Sequence, residues 1–575
     1  MKLLASFLFI VISQLSFGQV FYNIDTLYYA DRIDGSIDSI DVNSGDLPST
    51  FDGGIVTYSS GGVLASILYK TIIQPNFQRL HKFSTIEYSS LPHLGFAYSF
   101  GAQGTQFIHA KYNHAFTDKL MLDVDYKKSS GGGVIRESDF NLNDLGLQLI
   151  RSGKHYSTCL KGGFILNTVS HSGGILSIDS TIQQFGLEFS TVQKGSADSK
   201  NKNGQIQWEN YFNFLQDSIK QLGFKSFHKY TIQNRVYTEY SDTLSQLYSI
   251  ININSDSTRD QSNLASITNG AGVYFASKHL SIDGVLDYRY WNFQNLGNHS
   301  DTTEIGVRSN IRFFAKELKI NNYLHFNLIG AANEFENQIA ASYRFKKMNF
   351  SVNYFIESKT QSPLQRNYFS NNTSYSNTLS KQTSMGINTL LDVDILAQKY
   401  SVGFLGGFTT VSNPFLYNGS NWRNDSIDFN LAYLGVKGAI KFGPLHINPK
   451  FIYSVSGNGY LPGVQALGRV YVKGNLFKAK KLEAMIGIDA SYVSSYRLKT
   501  YISYMDTYEW SGVEVNSNPV TNLHAFVSIG ISEFRLFLRY ENIGYFWNNN
   551  LSQEVLNYPI AGTRMRIGIT WDFFN

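Results

Sequence analysis

The segment RMRIGITWDFFN places Arg564 and Arg566 two residues apart, with Asp572 on the same parity. On an extended backbone, side chains at i and i+2 share a face. Both guanidinium groups therefore point one way, and Met565, Ile567, Ile569, Trp571 and Phe573 point the other. The spacing recurs upstream: Arg308 and Arg312 share a parity in TTEIGVRSNIRFF, Arg344 follows Ser342 in AASYRF, and Arg469 and Lys473 alternate with Val470 and Val472. Arg535, Arg539 and Glu541 repeat it, as do Asp283 with Asp287, Asp392 with Asp394, and Glu483 with Asp489. Charges on one face at this period can pair with strand neighbours and stiffen a wall. They can equally face an aqueous passage and sort solutes by charge. The residues leave both readings open.

Other chemistry is hard to find. The 12 histidines are scattered, and none forms a zinc-spaced pair beside an acid. There is no G-x-S-x-G elbow and no phosphate-binding loop, and SSGGGV at 129–134 lacks a following helix, which makes it a turn or loop. Cys159 is the single cysteine, so no intramolecular disulfide can form. The expectation is a protein that is not an enzyme and needs no cofactor or metal.

The elements that carry these charges must suit an unusual composition. MKLLASFLFIVISQLSFGQ has Lys2 before an apolar run from Leu3 to Ile12, and small residues at Ser16 and Gly18. That pattern predicts a cleaved signal peptide over 1–18 and export. Beyond it, no apolar run reaches the roughly 18 residues of a membrane-spanning helix, and mean hydropathy is slightly negative. Yet Phe, Trp and Tyr make up 15% of the chain and charged residues only 16%, with 48 Gly against 10 Pro. Soluble domains average about 25% charged. A wall with one face in lipid and one in water reconciles aromatic richness with neutral hydropathy.

Period-two segments run almost continuously from about residue 93. Short connections, such as Thr117–Lys119, Ser277–His279, Lys316–Glu317, Lys346–Lys347, Gly443–Pro444 and Ser532–Glu533, take turns with long polar ones such as STVQKGSADSKNKNG and NINSDSTRDQSN. Short turns at one rim and long loops at the other describe an all-β transmembrane antiparallel β-barrel, with the short turns periplasmic. Counting segments gives about 22 strands, an even number within roughly 18 to 26. Residues 76–575 form the barrel on this reading. Residues 19–75, acidic and rich in Ser and Gly, form a periplasmic tail or a segment in the lumen, too short for a globular plug.

Alternation places Arg308, Arg312, Arg344, Arg469, Lys473, Arg535, Arg539, Arg564 and Arg566 on the lumen side, with Asp283, Asp287, Asp392, Asp394, Glu483, Asp489, Glu541 and Asp572. Bases gather in the last strands and around 308–346, and acids around 283–287 and 392–394, which predicts arcs of opposite sign. Without Lys2 the chain carries +4, one less than the +5 of the full sequence. That predicts at most weak anion preference, and no clustered basic face points to nucleic acid.

Residues 89–138, SSLPHLGFAYSFGAQGTQFIHAKYNHAFTDKLMLDVDYKKSSGGGVIRES, resemble the first hairpin of the putative porin family of Gram-negative outer membranes. The shared features are Pro92 before an aromatic strand at Tyr98, Gly101 with Gln103 and Gln106, and a small-residue loop ending in Arg136. YPIAGTRMRIGITWDFF is similar to that family's final strand. The resemblance implies an outer-membrane barrel with passive transport, no catalytic residues, and a C-terminal strand read by the barrel-assembly machinery. The leading expectation is a diffusion channel for small hydrophilic solutes, with outer-membrane lipid as its surroundings. The alternatives are a carrier or binder of hydrophobic ligands or glycans, and a surface adhesion protein.

Overall fold

In the computed structural model, which describes residues 80–83 and, apart from short internal stretches, 91–574, a single 22-stranded antiparallel sheet closes on itself. The strands are numbered here around the wall. The first eleven are β1 (His93–Gly101), β2 (Gln106–Thr117), β3 (Leu120–Gly131), β4 (Phe140–Arg151), β5 (Tyr156–Ser170), β6 (Ala197–Gln216), β7 (Lys220–Tyr240), β8 (Ser257–Ser277), β9 (Leu280–Asn295), β10 (Asn298–Ala315) and β11 (Leu318–Ile329). The rest are β12 (Phe335–Phe345), β13 (Met348–Lys359), β14 (Gln382–Leu396), β15 (Tyr400–Ser412), β16 (Phe429–Phe442), β17 (Leu445–Ser456), β18 (Val464–Asn475), β19 (Leu482–Val493), β20 (Val520–Ile531), β21 (Phe534–Glu541) and β22 (Arg564–Phe574). Each pairs with its neighbours, and β22 pairs with β1 from His93↔Phe574 to Gly101↔Arg566. Closure leaves no strand edge, which a wall in lipid requires.

Alternation sets the two faces. On β4, Leu145, Leu147 and Leu149 are exposed on the outside, while Asp144, Gly146 and Gln148 are buried inside. On β22, Met565, Ile567 and Trp571 are exposed and Arg566 is buried. The apolar belt carries Leu286, Val307, Phe404, Leu434, Ile486 and Leu536 around the ring.

One rim has the tight turns expected. Lys316, Lys346 and Ser532 adopt φ of 46°, 51° and 50°, and Gly443 57°, the left-handed backbone that a two-residue hairpin turn needs. A further short connection at Ser152–His155, between β4 and β5, was not evident from composition. The opposite rim is less uniform than expected. β9 and β10 are joined by Leu296 and Gly297 alone, and β1 and β2 by a single 3-10 turn at Ala102–Gly104.

Two segments expected as loops are largely strand. β6, β7 and β8 have 20, 21 and 21 residues, against the roughly 9–11 that cross a bilayer. Strands of this length reach beyond the bilayer span, and past it neither face meets lipid. At the start of β6 (197–204) and of β8 (257–263) apolar residues are nearly absent and Ser, Asn, Asp and basic residues dominate, which gives these two segments a loop's composition, whereas β7 keeps apolar residues at Ile232 and Val236.

Candidate pore lining and outer cap

The inner wall from β18 to β22 holds a ladder of ion pairs. Arg469 Nε lies 2.5 Å from Asp489 Oδ1, and Arg539 reaches the other oxygen of Asp489 at 3.2 Å. Glu541 is shared by Arg566 at 3.1 Å, Arg564 at 3.7 Å and Arg539 at 3.8 Å. Glu483 takes Arg535 at 2.8 Å and Lys473 at 3.2 Å. The Arg469 guanidinium also stacks over the Phe526 ring at 5.1 Å. Register explains the ladder: β19, β20, β21 and β22 pair without a bulge, so inward residues from neighbouring strands fall side by side.

A second cluster lies on β7 to β11. Asp287 meets Arg308 at 3.2 Å and His325 at 3.6 Å, Arg289 meets Glu304 at 3.3 Å, and Asp283 meets Lys225 at 3.7 Å and the Asn310 amide at 2.9 Å. Asp392 pairs with Lys437 at 2.8 Å, and Asp572 with His93 at 3.4 Å. Arg312, Arg344 and Asp394 are exposed. The expected separation into arcs therefore holds only in part. The last strands are rich in bases, but the acids at 283–287 sit against the bases at 308–312 because β9 and β10 are adjacent. Sequence distance does not reveal that adjacency.

Residues 80–83 lie inside the barrel. His81 Nδ1 is 2.5 Å from Asp144 Oδ1, and Gln205 Nε2 donates to the His81 carbonyl at 2.5 Å. The seat is made by two glycines. A Cβ at Gly146 would stand 2.0 Å from His81 Nε2, and one at Gly163 would stand 2.7 Å from His81 Cβ. Gly146→Ala should therefore expel His81 while the barrel stays closed. Faster tryptic cleavage at Lys82, with heat-modifiable gel mobility unchanged, is the expected result; unchanged cleavage would count against the seat.

The outer mouth carries an inward-folded cap. The connections 360–381, 413–428 and 494–519 contribute a hairpin (367–369 with 374–376) and a small sheet of 415–417, 422–424, 500–502 and 507–509. Its core joins Leu364, Tyr368, Tyr375, Phe415, Tyr417, Trp422, Tyr504 and Met505 to Tyr237 of β7 and to Trp291 and Phe293 of β9. β7 and β19, which leads into 494–519, stand on opposite sides of the ring, so this loop crosses the lumen. Arg235 of β7 holds it there, donating to the carbonyls of Tyr504 at 2.6 Å and Ser503 at 2.5 Å. Lys194 adds bonds to Ser503 Oγ at 2.9 Å and Tyr237 OH at 3.0 Å, and also meets Tyr248 OH. A second cluster packs Tyr501 and Tyr508 against Ile135, Ile175, Leu187, Val555 and Tyr558 from three other connections. Within the cap, burial pulls the Lys499 ammonium down to about 7.

Arg235, Lys194 and His81 were not singled out from sequence. Arg235, Tyr237 and Glu239 share a parity, but the alternate positions Asn234 and Thr238 are also polar, so no inward face stands out. Among the described residues no group of three His, Cys, Asp or Glu side chains is arranged to hold a metal ion.

A closed wall with an apolar outer belt and an inner face of paired charges defines an outer-membrane β-barrel. The model of the family described as Putative porin matches residues 83–575, and the chain belongs to that family. No curated protein matches it in sequence. Among solved structures it is similar in fold to the iron transporter FrpB of Neisseria meningitidis (TM-score 0.59, 8% identity, 84% of this chain and 83% of that one). It is also similar to a variant of the ferric enterobactin receptor of Pseudomonas aeruginosa (0.58, 9%, 85% and 81%) and to the siderophore receptor PirA of Acinetobacter baumannii (0.58, 8%, 85% and 81%). At these identities the likeness concerns the barrel alone.

Proposed function

We propose that this protein is a passive diffusion channel for small hydrophilic solutes in the outer membrane of a Gram-negative bacterium, narrowed at its outer mouth by the loop cap. It is exported through a signal peptide at 1–18 and inserted by the barrel-assembly machinery through β22. Residues 1–18 and 19–75 lie outside the described residues. The observation that carries the proposal is the inner wall, where guanidinium, ammonium and carboxylate groups from β7–β11 and β18–β22 replace the apolar residues of the outer face. A lumen of this size and polarity suits water and polar solutes.

Purified protein in planar bilayers should give stepwise conductance, and liposomes containing it should swell in small sugars. A second reading, a barrel that binds its ligand before admitting it, draws support from the cap that Arg235 fastens across the lumen. Wild-type protein without conductance, beside a conducting variant with a loosened cap, would favour that reading over the free channel. Silence from both would overturn each.

A further inference from the structure

Resting on the channel reading, we infer that the passage takes small anions, chloride, phosphate or carboxylates, along the arc of wall from β16 to β22. Two cross-strand pairs on this arc set like charges directly opposite each other. Lys437 of β16 faces Lys450 of β17, and Arg539 of β21 faces Arg566 of β22. Like charges in this position destabilise a sheet, and both pairs sit on the inner face. Carboxylates offset only part of the excess. In the ladder, six bases (Arg469, Lys473, Arg535, Arg539, Arg564 and Arg566) share the three carboxylates Glu483, Asp489 and Glu541.

The neighbouring strands add Lys437, whose partner Asp392 lies two strands away on β14, together with Lys450 and the exposed Lys441. Asp572 is the further acid on this arc, at the rim beside His93. An acidic counterpart, Glu336 opposite Glu357, stands elsewhere on the ring, on β12 and β13 beside Lys359. The whole-chain charge of +5 conceals this distribution. A concave, low-dielectric wall of one predominant sign concentrates counter-ions, and a permeant anion would relieve the repulsion within both like-charge pairs. Each base already tied to a carboxylate keeps spare N–H donors, since an Arg presents five and a Lys three.

The test is the reversal potential of the full chain in a planar bilayer across a potassium chloride gradient. Chloride should permeate in preference to potassium, by up to roughly tenfold at low salt and less as ionic strength screens the wall. Lys441→Glu combined with Lys450→Glu, which leaves the ladder intact, should move the reversal potential toward cation preference. Lys316→Glu, in a turn at the rim, should leave it where it is. Heat-modifiable mobility verifies that each variant is closed. A wild-type reversal potential at zero or on the cation side, or no shift in the double variant, overturns the anion proposal while leaving the channel standing. Absence of any conductance would instead strike the channel reading itself.

Discussion

Arg235→Ala should raise the single-channel conductance severalfold and expose the 494–519 loop to protease, without opening the barrel. Arg235 is 3% exposed and donates to two carbonyls of a loop that starts on the far side of the ring. Hydrogen bonds from a charged donor contribute about 1.5–3 kcal/mol each. Losing both removes enough to shift a two-state loop from mostly docked to mostly released. The wall should tolerate the change, because β7 keeps its full backbone pairing with β6 and β8. The measurement is single-channel conductance paired with mass-mapped limited proteolysis. Unchanged conductance with the loop demonstrably cut would mean that the passage does not run beneath the cap.

Ile569→Lys should abolish assembly, and Arg566→Gln should not. Ile569 sits midway along β22 on the outer parity, opposite Leu536 of β21 and Tyr98 of β1. A lysine at the bilayer midplane of such a barrel costs about 2–4 kcal/mol, and here it falls on a strand that must pair on both sides to close the ring. Arg566 points inward, and its removal leaves Glu541 with Arg564 at 3.7 Å and Arg539 at 3.8 Å. The Gln variant should therefore fold and insert. Heat-modifiable mobility after refolding into lipid vesicles separates the two, and equal assembly of both variants would contradict the assigned facing.

The wall was largely legible in the sequence because lipid imposes period two on it. Met565, Ile567 and Trp571 could be assigned outward, and Arg566 inward, from parity alone. The strand count came out the same way, since tight turns at Lys316, Lys346 and Ser532 punctuate the alternation. The cap was not legible. Its aromatic residues, among them Tyr368, Tyr375, Trp422 and Tyr504, lie in long connections, and their partners Tyr237, Trp291 and Phe293 lie on strands far away in sequence. Nothing local in RVYTEY marks Arg235 as the residue that fastens a loop from the opposite wall. The starts of β6 and β8 read as loops in STVQKGSADSKNKNG and NINSDSTRDQSN because the cue that identifies a strand here, contact with lipid on one side, ends at the membrane surface.

The ion-pair ladder has a consequence for how the ring comes together. It ties β18 to β22 through side chains as well as backbone, then stops at the boundary with β1, whose inward residues are His93, Gly95, Ala97 and Ser99. Among the described residues, the ion pair across that boundary is His93 with Asp572, at one end of it. β1 is also short, at nine residues. The cylinder thus has a seam. It is stitched by main-chain hydrogen bonds along its length, with His93 and Asp572 paired at one end, and because it joins the chain's first strand to its last it can close only when both are in place.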